Sequence, residues 1–251
     1  MTCVAVRAVI NRRGKPDGIM RVAIVENTKV THLGQLGVAL AGSGAEIVTY
    51  RPFLDGSLPD DIAAHDALVV LGGEQSALDD ASHPYLPALA RLMRAYGDAG
   101  KAVLGICLGA QILARGYGGR NLLGTATEFG WHRVCLTPEG RDDPVLGAAG
   151  ADFPIFQWHG DTFGLPEGAS HLAFGESVAS QAFRVGRAAY GMQFHFEASR
   201  AVVADWCREF PEAAEAIRPG WQQDHHAEAA LNGPAADAAG LALARAWLTL
   251  V

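Results

Sequence analysis

Short apolar runs alternate with amphipathic stretches over the first half of the chain, which is typical of parallel strands joined by helices. The strands predicted from these runs are Val22–Val25, Glu46–Tyr50, Ala67–Leu71 and Ala102–Ile106. Between the last two strands, apolar positions recur at spacings of three and four and predict a helix with one apolar face. These positions are Leu86, Leu89, Leu92, Met93 and Tyr96. Another helix is predicted at Leu33–Ala41. The predicted fold class is α/β, with a doubly wound, mostly parallel sheet and helices on both faces.

The pattern changes in the middle of the chain, where short strand-like runs follow one another with only turn residues between them. The strands predicted there are Arg133–Thr137, Phe153–Trp158, His171–Phe174, Ala182–Val185 and Tyr190–Phe196. They indicate a few antiparallel strands added beside the main sheet. Helices are predicted again at Arg200–Phe210 and Ala235–Leu250.

The domain organisation predicted from this order is simple. Residues 1–19 carry several basic side chains, two glycines and a proline, and are expected to form a loosely ordered extension. The chain contains no internal repeat, so residues 20–251 are expected to form a single domain, with its core at 20–210 and C-terminal helices at 211–251. Because Met20 opens the first predicted strand, a translation start at either Met1 or Met20 is left open.

Composition and charge exclude several classes of function. The formal net charge is −7 and there is no long basic stripe, so nucleic-acid binding is not expected. No apolar run approaches the roughly 18 residues that span a bilayer, so no membrane association is expected either. The four cysteines, Cys3, Cys107, Cys135 and Cys207, are widely spaced and form no C-x-x-C pair. This spacing indicates neither a zinc site nor a disulfide framework, and it favours a reducing, cytoplasmic location.

Cys107 is the most informative residue, because it stands between a predicted buried strand and a predicted helix. Its context is Gly105-Ile-Cys-Leu-Gly109-Ala-Gln111. Small residues on both sides allow the sharp strand-to-helix turn at which nucleophiles are presented. The helix N-terminus would stabilise a thiolate, and its free backbone N–H groups would bind a developing oxyanion. We therefore predict that Cys107 is a nucleophile, whereas the other three cysteines are expected to play no catalytic part.

A thiol nucleophile needs a base, and the base needs a group that orients it. His195 and Glu197 are two residues apart in a predicted strand, so their side chains are expected on the same face. A carboxylate beside an imidazole fixes its tautomer and supports the imidazolium. His159 and Asp161 have the same spacing, but Gly160 separates them in a predicted loop, where a shared face is not ensured. This second pair is therefore kept as the alternative.

Two glycines, Gly72 and Gly73, follow the third predicted strand and would let the backbone approach a ligand closely. The N–H of Gly73 is a candidate partner for that of Leu108 in an oxyanion hole, although an ordinary strand-to-helix turn explains the glycines equally well. The chain has neither a G-x-G-x-x-G nor a G-x-x-x-x-G-K-[ST] motif, so no dinucleotide and no directly bound ATP is expected. The pair His225-His226 has no third ligand at a suitable spacing, so no metal and no other cofactor are expected.

Three segments together resemble class I glutamine amidotransferase domains. They are Gly72-Gly73, Gly105-Ile-Cys-Leu-Gly109-Ala-Gln111 and Gly191-Met-Gln-Phe-His195-Phe-Glu197, and the resemblance runs from about Met20 to Phe210. Further segments resemble the free-standing branch related to the amidotransferase part of GMP synthetase. These are Ser76, Glu128-Phe-Gly-Trp131 and Gln157-Trp-His-Gly-Asp161. The resemblance implies a flavodoxin-like class I glutamine amidotransferase fold.

The same resemblance implies a catalytic triad of Cys107, His195 and Glu197 that hydrolyses the side-chain amide of glutamine. Cys107 would attack the amide and form a γ-glutamyl thioester, while His195 would shuttle the proton to the departing ammonia. Water would then release glutamate. The resemblance assigns the oxyanion hole to Gly73 and Leu108.

The amino-acid end of glutamine is expected, from the same resemblance, at Gln111 and the backbone around Trp158 and His159. Two residues beside the site depart from the family pattern. Glu74 follows the glycine pair where proline is usual, and Phe196 stands between the histidine and the glutamate where proline is common in synthetase-linked members. Because both departures lie next to the site, they affect the expected substrate more than the expected chemistry.

Several functions therefore remain open. A glutaminase component would pass ammonia to a separate synthetase, its partner. A self-sufficient γ-glutamyl hydrolase or peptidase would use the same triad, because the acyl group is shared and only the leaving amine differs. A non-catalytic, regulatory relative would have no need of a triad. A cysteine α/β-hydrolase fits the G-x-C-x-G elbow, but its acid usually precedes its histidine. A homo-oligomer is compatible with each of these functions.

Overall fold

The computed structural model of the protein describes residues 18–251, so most of the predicted N-terminal extension lies outside the described residues. In chain order the strands are β1 (Arg21–Val25), β2 (Glu46–Tyr50), β3 (Ala67–Val70), β4 (Ala102–Ile106), β5 (Asn121–Leu122), β6 (Glu128–Leu136), β7 (Asp152–His159), β8 (Thr162–Phe163), β9 (Ser170–Gly175), β10 (Ala182–Val185) and β11 (Ala189–Met192). The helices are α1 (Gly34–Ser43), α2 (Pro52–Asp55), α3 (Leu86–Asp98), α4 (Leu108–Gly116), α5 (Pro138–Asp142), α6 (Arg200–Glu209), α7 (Pro211–Ile217) and α8 (Trp221–Leu248). Short 3₁₀ helices lie at Ile62–Ala64 and Leu146–Ala149.

Nine of these strands form one sheet in the order β2-β1-β3-β4-β11-β10-β9-β6-β7, while β5 pairs with β8 separately. In this sheet, β2, β1, β3, β4 and β11 run parallel to one another. The pairings from β11 through to β7 are antiparallel. This architecture confirms the predicted mostly parallel α/β sheet with added antiparallel strands. It also brings the carboxyl ends of β1, β3 and β4 to one edge, where open α/β sheets bind their ligands.

Helices cover both faces of the parallel half of the sheet, because successive apolar residues of a strand point to opposite sides. Ile24 and Leu104 point into a core that α1 and α8 cover. Val25 and Val103 point into the core on the other face, which α3 and α4 cover. This two-sided burial explains why these strands are nearly continuous apolar runs.

A separate aromatic cluster joins β6 and β7 to α6 and α8. Its buried rings are Phe129, Phe156, Trp206 and Trp221. Trp221 is fully buried and packs against Phe129 with the ring centroids 4.7 Å apart. The cluster therefore fixes the C-terminal helices against the carboxyl-edge side of β7.

The C-terminal helix is longer than the pattern predicts. The sequence predicts it at Ala235–Leu250. In the structure α8 begins at Trp221 and includes Pro234 in its interior. Burial of Trp221 in the aromatic cluster stabilises the first turns of α8 and offsets the cost of an interior proline.

Two predicted bounds near the carboxyl edge of the sheet are also wrong. The last strand is predicted to reach Phe196, but β11 ends at Met192. The loop around Gly160 begins one residue later than the pattern suggests, since His159 is the last residue of β7. Among residues 18–251, no helix is both long and apolar enough to cross a bilayer.

Candidate active site

Cys107 occupies the turn between β4 and α4, with φ 52° and ψ −108°. It is the one non-glycine residue with positive φ in the described range 18–251. A backbone in such a sparsely populated region costs about 1–3 kcal/mol and persists only where the surroundings impose it. The surroundings here are β4, which leads into the turn, and the N–H of Cys107, which donates to the carbonyl of Met192 at 2.8 Å. The fold therefore holds Cys107 in a strained, sharply turned conformation.

Two glycines make this turn sterically possible. A Cβ at Gly105 would overlap the backbone of Gly109, and a Cβ at Gly109 would overlap the carbonyl of Val70 in β3. Helix α4 thus packs directly on β3 and β4, backbone against backbone. Because the first N–H groups of a helix have no partner within it, this close approach aims the N-terminus of α4 at the carboxyl edge of the sheet.

His195 and Glu197 form a buried hydrogen-bonded pair. The imidazole Nδ1 lies 2.7 Å from Oε1 of Glu197, and the two side chains are 8% and 3% exposed. Their shared direction does not come from strand alternation, since β11 has already ended at Met192. Instead, the N–H of His195 donates to the carbonyl of Phe156 at 2.9 Å, a single bridge to β7 that fixes the turn.

Helix α1 anchors the same pair from the other side. The N–H of Gln35 donates to the carbonyl of Glu197 at 2.9 Å. Gly34 lies so close to this carbonyl that a Cβ there would overlap it. Trp206 packs edge-on against the imidazole of His195, with the ring centroids 5.0 Å apart. The histidine is therefore held between a carboxylate, an aromatic ring and the backbone of β7.

Cys107 and His195 meet beside Gly72. A Cβ at Gly72 would lie 3.0 Å from Cε1 of His195 and 3.6 Å from Cβ of Cys107, so only glycine leaves the pair room. Burial alone would lower the pKa of His195, but the Glu197 carboxylate and the Cys107 side chain, both in contact with the ring, raise this pKa to about 10. The environment therefore favours an imidazolium beside the sulfur at neutral pH.

Gly73 lies across the turn from the first residue of α4. A Cβ at Gly73 would lie 2.9 Å from Cδ2 of Leu108. Among the described residues, the backbone N–H groups of Gly73 and Leu108 have no hydrogen-bond acceptor. Asn27, which sequence reasoning missed, fixes the loop because its Nδ2 donates to the carbonyl of Leu71 at 2.8 Å. Asn27 follows β1 at the same edge of the sheet, and that position was the available signal.

The wall opposite Gly73 comes from the end of β7 and the turn after it. Sγ of Cys107 lies 3.7 Å from the carbonyl oxygen of Trp158, which is within the hydrogen-bond distance of a sulfur atom. Nε2 of Gln111 donates to the carbonyl of Asp161 at 3.2 Å and to Oε1 of Gln193 at 3.3 Å. Gln111 thus ties α4 to this wall. The structure brings Cys107, Gln111 and the backbone of Trp158 together at one side of the cavity.

His159 and Asp161, the alternative base and orienting group, do not form a hydrogen-bonded side-chain pair. Nε2 of His159 lies 3.1 Å from the carboxylate of Glu128, and its Nδ1 lies 3.0 Å from the backbone carbonyl of Asp161. The carboxylate of Asp161 instead accepts from the N–H of Gly124 at 2.7 Å. Strand pairing explains the difference, because Glu128 and His159 are register partners in β6 and β7. With its side chain 1% exposed, the imidazole of His159 is buried against Glu128.

A cavity of about 580 Å³ opens above Cys107 and His195. Its floor includes Gly72, Gly73 and Gln111, and one side is the end of β7. Next to Trp158, whose ring packs against Trp206 and Phe210, the cavity is lined by a row of apolar residues from α6, α7 and the turn between them, which sequence reasoning did not assign to the site. These residues are Trp206, Phe210, Ala213 and Ile217. The sequence carried no local signal for this wall, because α6 ends at Glu209 and α7 begins at Pro211, so the four residues do not belong to one helix.

Comparison with known proteins identifies the family. Residues 42–203 match the model of the glutamine amidotransferase class-I family. The chain is 30% identical to the glutamine amidotransferase-like protein YfeJ of Salmonella typhimurium, over 71% of this chain and 76% of that protein. It is 29% identical to a glutamine-hydrolysing GMP synthase subunit of Natronomonas pharaonis, over 70% and 88% of the two chains. It is 28% identical to γ-glutamyl peptidase 3 of Arabidopsis thaliana, over 71% and 74%.

Among solved structures, a glutamine amidotransferase from Methylobacillus flagellatus has a TM-score of 0.80 and 27% identity, over 93% of this chain and 96% of that one. The chain belongs to the class I glutamine amidotransferase family. Family members include glutamine-hydrolysing enzymes and a γ-glutamyl peptidase, which supports a hydrolase in broad terms.

Proposed function

We propose that the chain is a cysteine-dependent amidohydrolase that cleaves the γ-glutamyl amide bond, with glutamine as the simplest substrate. Cys107 is the nucleophile, His195 the general acid and base, and Glu197 the group that orients the imidazole. The products from glutamine are glutamate and ammonia. The observation that carries this proposal is the strained Cys107 beside an imidazole whose other nitrogen is held by Glu197.

The first half of the reaction forms a thioester. The Cys107 thiolate adds to the γ-carbonyl carbon, and the carbonyl oxygen becomes an oxyanion. The N–H groups of Gly73 and Leu108 are free to bind this oxyanion, which is the arrangement that stabilises acyl transfer. The His195 imidazolium donates its proton to the amide nitrogen as the C–N bond breaks. The amine leaves, and the γ-glutamyl group stays on sulfur.

The second half of the reaction hydrolyses the thioester and regenerates the free enzyme. His195, now neutral, takes a proton from water, which adds to the thioester carbonyl. Collapse of this second tetrahedral intermediate releases glutamate and the thiolate, while the proton remains on the imidazole. The backbone at Trp158 and His159, together with Gln111, is proposed to hold the amino-acid end of the substrate throughout. No cofactor takes part in either half.

The leaving amine separates two versions of this function. An enzyme that releases ammonia would pass it to a separate synthetase, as the likeness to a GMP synthase subunit suggests. A self-sufficient hydrolase would instead cleave a substituted γ-glutamyl amide, as the likeness to a γ-glutamyl peptidase suggests. The cavity volume of about 580 Å³ favours the second version. Pockets of roughly 300–1,000 Å³ accommodate drug-sized ligands, which are much larger than glutamine.

The test is glutamate release by the purified protein from L-glutamine and from a set of N-substituted γ-glutamyl amides, with Cys107→Ala as the control. The proposal predicts Cys107-dependent release from at least one of these compounds. Release that Cys107→Ala retains would overturn the assignment of the nucleophile. The absence of release from every compound, with and without cell extract that supplies a synthetase, would favour the non-catalytic relative.

A further inference from the structure

The position of His195 determines where the leaving amine lies. The nitrogen that accepts the proton must be within hydrogen-bond reach of the imidazole. Because Nδ1 is held by Glu197 and Trp206 packs against the ring, the free nitrogen faces Cys107 and the cavity. Any group attached to the leaving nitrogen therefore extends from His195 along the neighbouring wall of α6 and α7.

This wall is apolar and partly uncovered. Trp206 lies at its base, Phe210 follows, and Ala213 and Ile217 form the rim on one face of α7. Ile217 is 42% exposed and Ala213 is also exposed, although a solvent-facing helix surface normally carries polar residues. Val30, after β1, lines the same cavity. Trp206 and Phe210 also pack on the aromatic cluster of β6, β7 and α8, but the exposed side chains of Ala213 and Ile217 are not part of that cluster. An ammonia-releasing enzyme would have no use for these two apolar side chains at the cavity.

The charges around the cavity restrict the leaving amine further. Neither Lys nor Arg lines it within residues 18–251. His32, which lines the cavity, lies 3.9 Å from the carboxylate of Asp205. Acidic groups are present in Glu74 and Asp161, but they lie on the other walls, after β3 and after β7. A leaving amino acid would add a second carboxylate, besides that of the glutamyl group, to a cavity without Lys or Arg, and a polyamine would place its second charge against an apolar surface.

We infer that the substrate is a γ-glutamyl amide of an uncharged, apolar amine, aromatic or branched aliphatic, whose hydrocarbon part lies against Trp206, Phe210 and Ile217. The inference rests on the proposed function and names the substrate class of the same site. The wall residues lie beyond residues 42–203, the part that matches the family model.

The test compares kcat/KM for γ-L-glutamyl-benzylamide, -isopentylamide and -ethylamide, with γ-glutamylglycine and γ-glutamylputrescine as anionic and cationic members. Since a methylene in an apolar pocket changes discrimination by about tenfold or more, benzylamide and isopentylamide are expected at least about tenfold above ethylamide. The two charged compounds are expected below ethylamide. Equal values across the series, or a preference for either charged compound, would overturn the inference.

Substitutions in the apolar wall of α6 and α7 test whether this wall causes the preference for apolar leaving amines. Ile217→Asn and Phe210→Ala are expected to reduce the benzylamide-to-ethylamide ratio severalfold, because each removes apolar contact from the leaving group. The matched control is Leu231→Asn, an aliphatic side chain that is 80% exposed on α8 and does not line the cavity. This substitution is expected to leave the benzylamide-to-ethylamide ratio unchanged. Unfolding by urea checks that every variant is folded before its rates are compared.

The outcomes also separate this inference from the proposed function. Turnover of glutamine or ethylamide that depends on Cys107, without any preference for apolar amines, would leave the proposed function standing and overturn the inference. A ratio unchanged in both wall variants would do the same. No Cys107-dependent turnover of any γ-glutamyl compound would overturn both.

Discussion

The imidazole of His159 lies 3.1 Å from the carboxylate of Glu128, and the two side chains are only 1% and 2% exposed. Nε2 of Gln181 donates to the same carboxylate oxygen at 2.6 Å. The chain thus contains a second buried histidine–carboxylate pair, behind the wall that carries the carbonyl of Trp158. Because that carbonyl contacts the sulfur of Cys107, the pair positions one side of the candidate site.

Replacement of this carboxylate should be costly. In Glu128→Gln, one amide group would have to face the donors of His159 and Gln181, which leaves buried polar groups unpaired. We expect the free energy of unfolding to fall by about 1–3 kcal/mol, and kcat to fall with it as the end of β7 loosens. Urea unfolding and rate measurements check this. The matched control is Asp98→Asn, whose carboxylate is 57% exposed beside Arg94 and should contribute little. Equal effects of the two substitutions would contradict a positioning role.

The strain at Cys107 predicts an unusual order of stability. Glycine adopts positive φ without steric cost, so Cys107→Gly should be more stable than Cys107→Ala by about 1 kcal/mol, after allowance for the greater unfolded-state entropy of glycine. Both variants should be inactive. At Cys207, inside α6, the order should reverse, because glycine in a helix interior is less stable than alanine by about 0.5–1 kcal/mol. If alanine were more stable than glycine at both positions, the turn at Cys107 would not be strained.

The backbone contact of α4 with β3 gives a sharper test of the turn. Gly109→Ala would drive a Cβ into the carbonyl of Val70, so we expect a loss of more than about 2 kcal/mol of stability and nearly complete loss of activity. Gly42→Ala in α1 is the matched control, since a Cβ there meets nothing within 4 Å. That substitution should be neutral or stabilise by up to about 1 kcal/mol. Thermal unfolding of both variants measures the two changes in stability, and equal changes would contradict the close contact of α4 with β3.

The raised pKa of His195 predicts how stability depends on pH. The folded-state pKa, raised to about 10, lies above the ordinary value near 6.5. The stabilisation from the charged imidazole is therefore fully present below about pH 6.5 and is lost as the pH rises toward 10. Glu197→Gln removes the main charge that raises this pKa. The stability of wild type minus that of Glu197→Gln should fall between about pH 7 and pH 9, by at most about 1.4 kcal/mol per pH unit.

Urea unfolding of both proteins at intervals across that range measures this difference. A difference that is flat or that rises with pH would contradict an imidazolium in the folded protein. The same substitution should move the alkaline limb of kcat/KM to lower pH, because the proton for the leaving amine would then be lost more easily. An unmoved limb would mean that Glu197 does not act through the imidazole.

Much of the fold could be predicted from local pattern. The strands Glu46–Tyr50, Ala102–Ile106 and Ala182–Val185 have the predicted bounds, since continuous apolar or alternating runs with turn residues at both ends leave little freedom. The start of α8 could not be predicted, because it depends on Trp221 packing against rings from β6 and β7. Tertiary burial of this kind is not visible in the local pattern, and it stabilises the helix although Pro234 lies in its interior.

The candidate site shows the same division. The elbow at Cys107 and the proximity of His195 to Glu197 follow from segments that are each continuous in sequence. The partner of His159 could not be predicted in this way, because Glu128 lies on another strand and contacts His159 only through the register of β6 and β7. The wall of Phe210 and Ile217 could not be assigned either, since nothing local shows which face of a short helix lines a cavity.

The central step of the proposed reaction is the formation of a covalent γ-glutamyl thioester at Cys107. Acid-quenched mass spectrometry of the protein during turnover of L-glutamine or γ-L-glutamyl-benzylamide tests it directly. We expect the mass of one glutamyl group on the peptide that contains Cys107, in wild type and in greater amount in Glu197→Gln, where water attack is slowed. Cys107→Ala should carry no adduct. Turnover without an adduct at any quench time, or an adduct on another residue, would contradict the account.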